Sequence, residues 1–339
     1  MSASSRVCRA SFALFQALFV CSLGACAAAE PEAGASSPPA SEAPAEELTA
    51  EVQARVLAGR VSTMVQGIGD AENAAFSPDG RLFVTGGDNA YEILRRGDGY
   101  EAVRLYDGVC NFTGIAVHEG HLYTTCAEGA DLASSTPHLL AAKLAPKMAL
   151  SVIYDFKKLG IPNGIAFDRR GRLFVTDFTP FAGKVVTVEL AASSPLEVAR
   201  EEVWHGMGHP LANGLKIYED KVYMTDLTDV KVIPILADGS AGRVTVLATR
   251  LAVLDDLHVD ARGILVGDFY GGQIVSYSHT GRMLGQTQAL FRSPSSITPG
   301  RPPLVPEGTL IVTEKGALGE LTSRDGNRVS LFVEESLRR

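Results

Sequence analysis

From Arg60 onward the chain repeats one arrangement: an apolar run, a short polar turn and a second apolar run. "PNGIAFDRRGRLFVTDF" (162–178) is the clearest copy. Its alternation, turn glycine and second run rich in β-formers predict a β-hairpin. The same pattern returns as "ENAAFSPDGRLFVTGG" (72–87), "TGIAVHEGHLYTTCA" (113–127), "NGLKIYEDKVYMTDL" (213–227) and "DDLHVDARGILVGDF" (255–269). "SSITPGRPPLVPEGTLIVTEK" (295–315) is a sixth copy with a Pro-rich insertion in its turn. The copies start at Glu72, Thr113, Asn163, Asn213, Asp255 and Ser295, at intervals of 41, 50, 50, 42 and 40 residues. Further strand-like runs follow each hairpin, such as "GKVVTVEL" (183–190) and "EVAREEVWHG" (197–206) after the third. Four short strands per unit at this period predict an all-β fold, a six-bladed β-propeller over residues 49–339. The alternative, a sandwich or barrel, gives no reason for six copies of one hairpin.

The ends of the repeat are less regular. "RVSTMVQGI" (60–68) and "RVSLFVEES" (328–336) compete to be the outer strand that closes the last blade. Residues 49–59 read as a short helix. Upstream, Arg6 and Arg9 precede the apolar run "SFALFQALFVCSLGA" (11–25), which makes residues 1–25 a signal peptide. "LGAC" (23–26) resembles a bacterial lipobox, so Cys26 is expected to be lipidated; the alternative is ordinary signal cleavage. Residues 26–48 are rich in Ala, Pro, Glu and Ser with no aromatic residue, and read as a disordered tether. The expected location is the bacterial cell envelope, anchored to a membrane through that lipid.

Charge removes one class of partner. The formal net charge is -8 and no cluster of Lys and Arg appears, so nucleic acid is not an expected ligand. A monomer that binds a small molecule is expected. Cys8 and Cys21 leave with the signal, and Cys110 and Cys126 remain downstream of Cys26. They flank the two ends of the second hairpin, which predicts a disulfide; two unpaired buried thiols are the alternative.

In a propeller the starts of the inner strands share one end of the channel. Glu72, Asn163 and Asp255 each stand eight residues before their turn glycine (Gly80, Gly171, Gly263), and Asn213 shares the "NG" dipeptide of Asn163. Two carboxylates and two amides would then face one point. Hard divalent cations prefer such oxygen donors. Without a cation, two close carboxylates would repel until one took up a proton. The competing reading is that each residue caps its own turn.

The stretches "DAENAAF", "PNGIAFDRRGRLFVTD", "ANGLKI" and "LDDLHVDARG" together resemble the gluconolactonase/regucalcin (senescence marker protein) family of six-bladed propellers, over residues 60–335. The resemblance implies one divalent metal at the channel mouth, Ca2+ first, with Mg2+, Mn2+ or Zn2+ as alternatives. By blade order it implies Glu72, Asn213 and Asp255 as metal ligands, Asn163 as the substrate-side amide and Asp255 as general base. Asn73 and Asp256 stand where the family usually has glycine.

The expected activity is therefore metal-dependent hydrolysis of a lactone or related ester, with Asp255 and Asn163 catalytic. No G-x-S-x-G run offers a serine-hydrolase alternative. Thr113 and Ser295 are small, which suggests that substrate enters past blades 2 and 6. Loops 127–140 and 299–307 read as lids. His209 could reach the mouth and touch substrate, or be an exposed loop residue like His205. His258 could line the channel or sit in the core, and His118 and His121 read as surface residues. Asp177, Asp226 and Asp268 are expected to bond backbone amides of the turns that follow them. Two readings of other classes stand beside the hydrolase. One is a non-catalytic, envelope-anchored binding propeller. The other is a strictosidine-synthase-like propeller, a family that does not rely on such a quartet.

Overall fold

The second strand of each hairpin is apolar at consecutive positions: "LFV" (82–84), "LFV" (173–175), "VYM" (222–224), "ILV" (264–266) and "LIV" (310–312). Strands of this kind are buried on both faces. In the computed structural model, which describes residues 54–129, 134–316 and 322–335, each is the second of four antiparallel strands in a sheet, and the sheet of 264–266 carries a fifth, parallel strand at its edge. Six such sheets form six blades, spanning 74–104, 111–155, 162–209, 212–249, 254–286 and 294–334. Inner strands of neighbouring blades touch all the way round, blade 6 meeting blade 1, so the molecule is a six-bladed β-propeller. The signal peptide (1–25), Cys26, the tether (26–48) and residues 49–53 lie outside the described residues.

The core is a set of clusters between blades rather than one centre. Alternate positions of a second strand serve opposite neighbours. Leu173 and Val175 pack with Tyr123 and Leu139 of blade 2, whereas Phe174 packs with Leu215, Val222 and Met224 of blade 4. Phe83 likewise joins Phe112 and Leu122 of blade 2, while Leu82 and Val84 join Ile311 and Val329 of blade 6.

Both chain ends complete blade 6. Arg328–Glu334 is its third strand and Gly59–Gln66 its fourth, paired antiparallel, so the N-terminal strand closes the ring. The short helix expected at 49–59 is not formed over its described part. Arg55–Val56 instead pairs in parallel with the outer strand of blade 5, and Leu57 donates its N–H to the Gln286 carbonyl (2.8 Å). An open sheet edge offered those backbone groups partners, and the edge was covered.

The Pro-rich loop 299–307 is not a lid. It joins the inner and second strands of blade 6, so it lies at the end opposite the strand starts. Arg301 there donates to the Ser77 carbonyl in the turn of blade 1 (3.2 Å).

Phe174 is fully buried and meets Trp204 edge-on, with ring centroids 4.9 Å apart. Phe174→Ala should therefore lower the stability of the propeller by about 3–5 kcal/mol. Chemical denaturation measures this, and a loss below about 1 kcal/mol would contradict the between-blade packing described.

Candidate functional site at the channel mouth

A threonine near the end of the second strand ties each blade to the start of the next. Thr85 donates its hydroxyl to the Thr113 carbonyl (2.5 Å), Thr125 to Asn163 (3.2 Å) and Thr176 to Asn213 (2.5 Å). Thr225 does the same to Asp255, and Thr313 closes the circle onto Glu72 (2.6 Å). The same oxygen accepts an N–H within its own blade, from Asn73, Gly114, Gly214 or Ser296 (2.8–3.0 Å). Gly114, Gly214 and Ser296 lie where the register of the inner hairpin slips by one residue, between Phe112 and Ile115, Ala212 and Leu215, and Pro294 and Ile297. A bulge of this kind re-aims a side chain. Blade 5 has Gly267 in the threonine's place, where a Cβ would come within 2.7 Å of the Pro294 carbonyl.

The glycines of the "NG" dipeptides have a steric cause. A Cβ on Gly164 would lie 2.4 Å from the backbone nitrogen of Leu215, and one on Gly214 would lie 2.2 Å from Oδ1 of Asp256. Inner strands of blades 3, 4 and 5 approach so closely at this level that a side chain does not fit.

All six strand-start residues are buried. Among the described residues, Glu72 Oε1, Asn163 Oδ1, Asn213 Oδ1 and Asp255 Oδ1 accept no hydrogen bond. Buried polar atoms are almost always paired, so four such oxygens at one mouth need an explanation. The other carboxylate oxygens are held. Ser295 donates to Asp255 Oδ2 (3.0 Å), and the Lys315 ammonium contacts Glu72 Oε2 and stands 4.0 Å from Asp255 Oδ2. Burial pushes Glu72 up to about 8, opposed by Lys315 and reinforced by Asp255 and Asp70. Burial also raises Asp255, while Lys315, Ser295 and the Asn213 amide oppose it. Burial disfavours the charge of Lys315, but Glu72, Asp255 and Asp70 outweigh it and keep the amine protonated.

This donor set suits a hard divalent cation. It consists of oxygens alone, two of them charged. Among the described residues no cluster of three or more His, Cys, Asp or Glu is spaced for a metal, so the amide oxygens are essential members. The absence of His and Cys from the quartet fits calcium or magnesium better than zinc.

The remaining candidates are arranged differently from expectation. Thr113 spends its hydroxyl on the Pro162 carbonyl (2.9 Å), and Ser295 spends its own on Asp255. Lys315 spans the blade 6 side between Glu72 and Asp255. His209 is no exposed loop residue. It is buried, with Nδ1 on Asp226 Oδ2 (2.9 Å) and Nε2 on His205 Nδ1 (3.0 Å). Lys231 also reaches Asp226 (2.5 Å), and Leu211, two residues before Asn213, donates its N–H to that carboxylate (2.8 Å). His209 thus braces the entry of blade 4. His258 pairs with Asp260 away from the mouth (3.3 Å), and His118 stacks on Phe167 with centroids 4.1 Å apart.

Asp177 accepts N–H groups on both sides, from Gly160 and Ile161 before the strand and from Thr179 after it (3.0–3.1 Å). Asp268 accepts from Gly271 in the following turn (2.8 Å). Cys110 and Cys126 form a disulfide at the start of blade 2. A cleft of about 400 Å³ lies between blades 5 and 6 beside the Asp260–Gly263 turn, at the far end from the mouth. Its charged groups are already paired, Arg55 with Glu334 and Arg262 with Asp260, so it offers no comparable chemistry.

No protein-family description and no curated protein matches the sequence. Solved structures do match the fold. A gluconolactonase from Xanthomonas campestris aligns with 85% of this chain and 93% of its own, at 16% identity and TM-score 0.61. Regucalcin from Agrobacterium tumefaciens, described as a calcium-binding protein, aligns with 82% and 93%, at 14% identity and TM-score 0.60. Gluconolactonase and regucalcin proteins are thus among the structural neighbours of this chain. An aldose sugar dehydrogenase from Streptomyces coelicolor, bound to PQQ, shares the architecture at 14% identity and TM-score 0.57, covering 82% of this chain and 98% of its own. Likeness at these identities establishes the propeller, and the side chains at its mouth must decide the chemistry.

The threonine ties make a direct prediction. Thr225→Val keeps the side chain's shape but removes both the donor to Asp255 and the acceptor for Gly214. It should cost about 1–3 kcal/mol in chemical denaturation, and an unchanged midpoint would show that the tie carries no weight.

Proposed function

We propose that this propeller is a metal-dependent hydrolase of a lactone or related ester, acting at the channel mouth. The observation that carries the reading is the group of four buried, unpartnered oxygens supplied by blades 1, 3, 4 and 5. Glu72, Asn213 and Asp255 would hold the ion, with Asn163 toward the substrate. The gluconolactonase and regucalcin neighbours support the same class of site.

A divalent ion bound there supplies Lewis acidity to an ester carbonyl. The chain supplies the rest. Asp255 accepts a proton from the attacking water as the C–O bond to the carbonyl forms. That proton then passes to the leaving alkoxide as the ring ester opens to hydroxy acid. Ser295 and Lys315 hold the opposite edges of the carboxylates, so the accepting oxygens keep their direction. Asn163 orients the substrate or the water. Read with the N-terminal segment, the domain would work in the bacterial envelope on a lipid-anchored tether, taking a small molecule and no nucleic acid.

Asp255→Asn should lower kcat/KM for lactone hydrolysis by at least about 100-fold while leaving the fold intact. Chelation should abolish turnover by the unmodified protein, and added Ca2+ should restore it. Full turnover under chelator, or in the variant, would remove the mechanism.

A further inference from the structure

Lys315 has no counterpart among the expected site residues. It follows Glu314 at the end of the second strand of blade 6, and its ammonium lies 5.9 Å from the centre of the Phe269 ring. The side chain is 16% exposed. It reaches blade 1 at Glu72 and blade 5 at Asp255, so it bridges the two carboxylates of the donor set from the blade that separates them.

The division of oxygens is orderly. Lys315 and Ser295 take Glu72 Oε2 and Asp255 Oδ2, and the oxygens left without a partner are Oε1 and Oδ1. The lysine and a divalent ion would therefore use different oxygens of the same carboxylates. Asp70, two residues before Glu72, also has its Oδ1 without a partner.

We propose that Lys315 is a resident counter-ion of the oxygen cage that sets its affinity for the divalent cation. The proposal rests on the metal reading of the same site. The ammonium holds the far oxygen of Glu72 in place when no divalent ion is bound. Once an ion binds, the same ammonium repels it. The cage is thus preformed and binds more weakly than its carboxylates alone would dictate. Affinity in oxygen-donor sites follows ligand charge, and partners of the ligands shift it strongly.

The test is calorimetric titration of the purified protein with Ca2+, alongside melting of the metal-free form. Lys315→Met and Lys315→Gln should each bind Ca2+ at least about tenfold more tightly than the unmodified protein and melt at a lower temperature without it. Lys315→Arg, which keeps the charge, should retain the original affinity. Gln can still hydrogen-bond Glu72, so it preserves the test if the Met variant folds poorly. A lysine with only a packing role would lower the melting temperature with no gain in affinity. Equal or weaker Ca2+ binding by both neutral variants overturns the role of Lys315 and leaves the cage standing. Absence of Ca2+ binding in every form overturns the cage and the proposal together.

Discussion

The site depends on one interaction, repeated: a threonine hydroxyl that donates to the first residue of the next blade and, in four of the five cases, receives an N–H from its own. A hydroxyl can do both at once, and a valine of the same shape can do neither. The hydroxyl sits inside a bulge, where ladder bonds are broken and the backbone groups would otherwise be buried without partners. It joins neighbouring blades at five of the six boundaries, including the closing one through Thr313 and Glu72. The strand-start positions are thereby fixed to one another through short polar ties. The apolar clusters between blades supply adhesion, which alone would tolerate sliding.

Much of this was legible in the sequence. The six hairpin copies located the inner strands, and the consecutive apolar residues of their second strands followed from burial on both faces. The strand starts were legible because one polar residue per repeat is out of place in an apolar hairpin. What escaped reading is instructive. The threonines of "VTG", "TTC", "VTD", "MTD" and "VTE" recur in register and could have been noticed. They look like ordinary strand residues, and only the neighbouring blade gives them a partner. Lys315 left no such signal. It stands just past the strand end, and its meaning comes from two carboxylates far away in sequence.

The histidines show the opposite error. Along the chain, His209 sits among Gly and Pro in what reads as an exposed loop, yet the outer strand of blade 3 extends to it and carries it beneath the mouth. There Asp226, bonded to His209 and Lys231, lies below its ordinary value despite burial. The hydroxyls of Thr113 and Ser295 likewise find partners in the buried ring, on the Pro162 carbonyl and on Asp255.

The central claim is that the unpartnered oxygens form a cation site. A crystal structure of the protein grown with Ca2+ tests it most directly. The account predicts one ion at the mouth, bound by Glu72 Oε1, Asn213 Oδ1 and Asp255 Oδ1 at about 2.3–2.6 Å, with Asn163 Oδ1 directed to it. Lys315 should still rest on the far oxygen of Glu72. A mouth that holds only water, with those oxygens hydrogen-bonded to it, would contradict the claim.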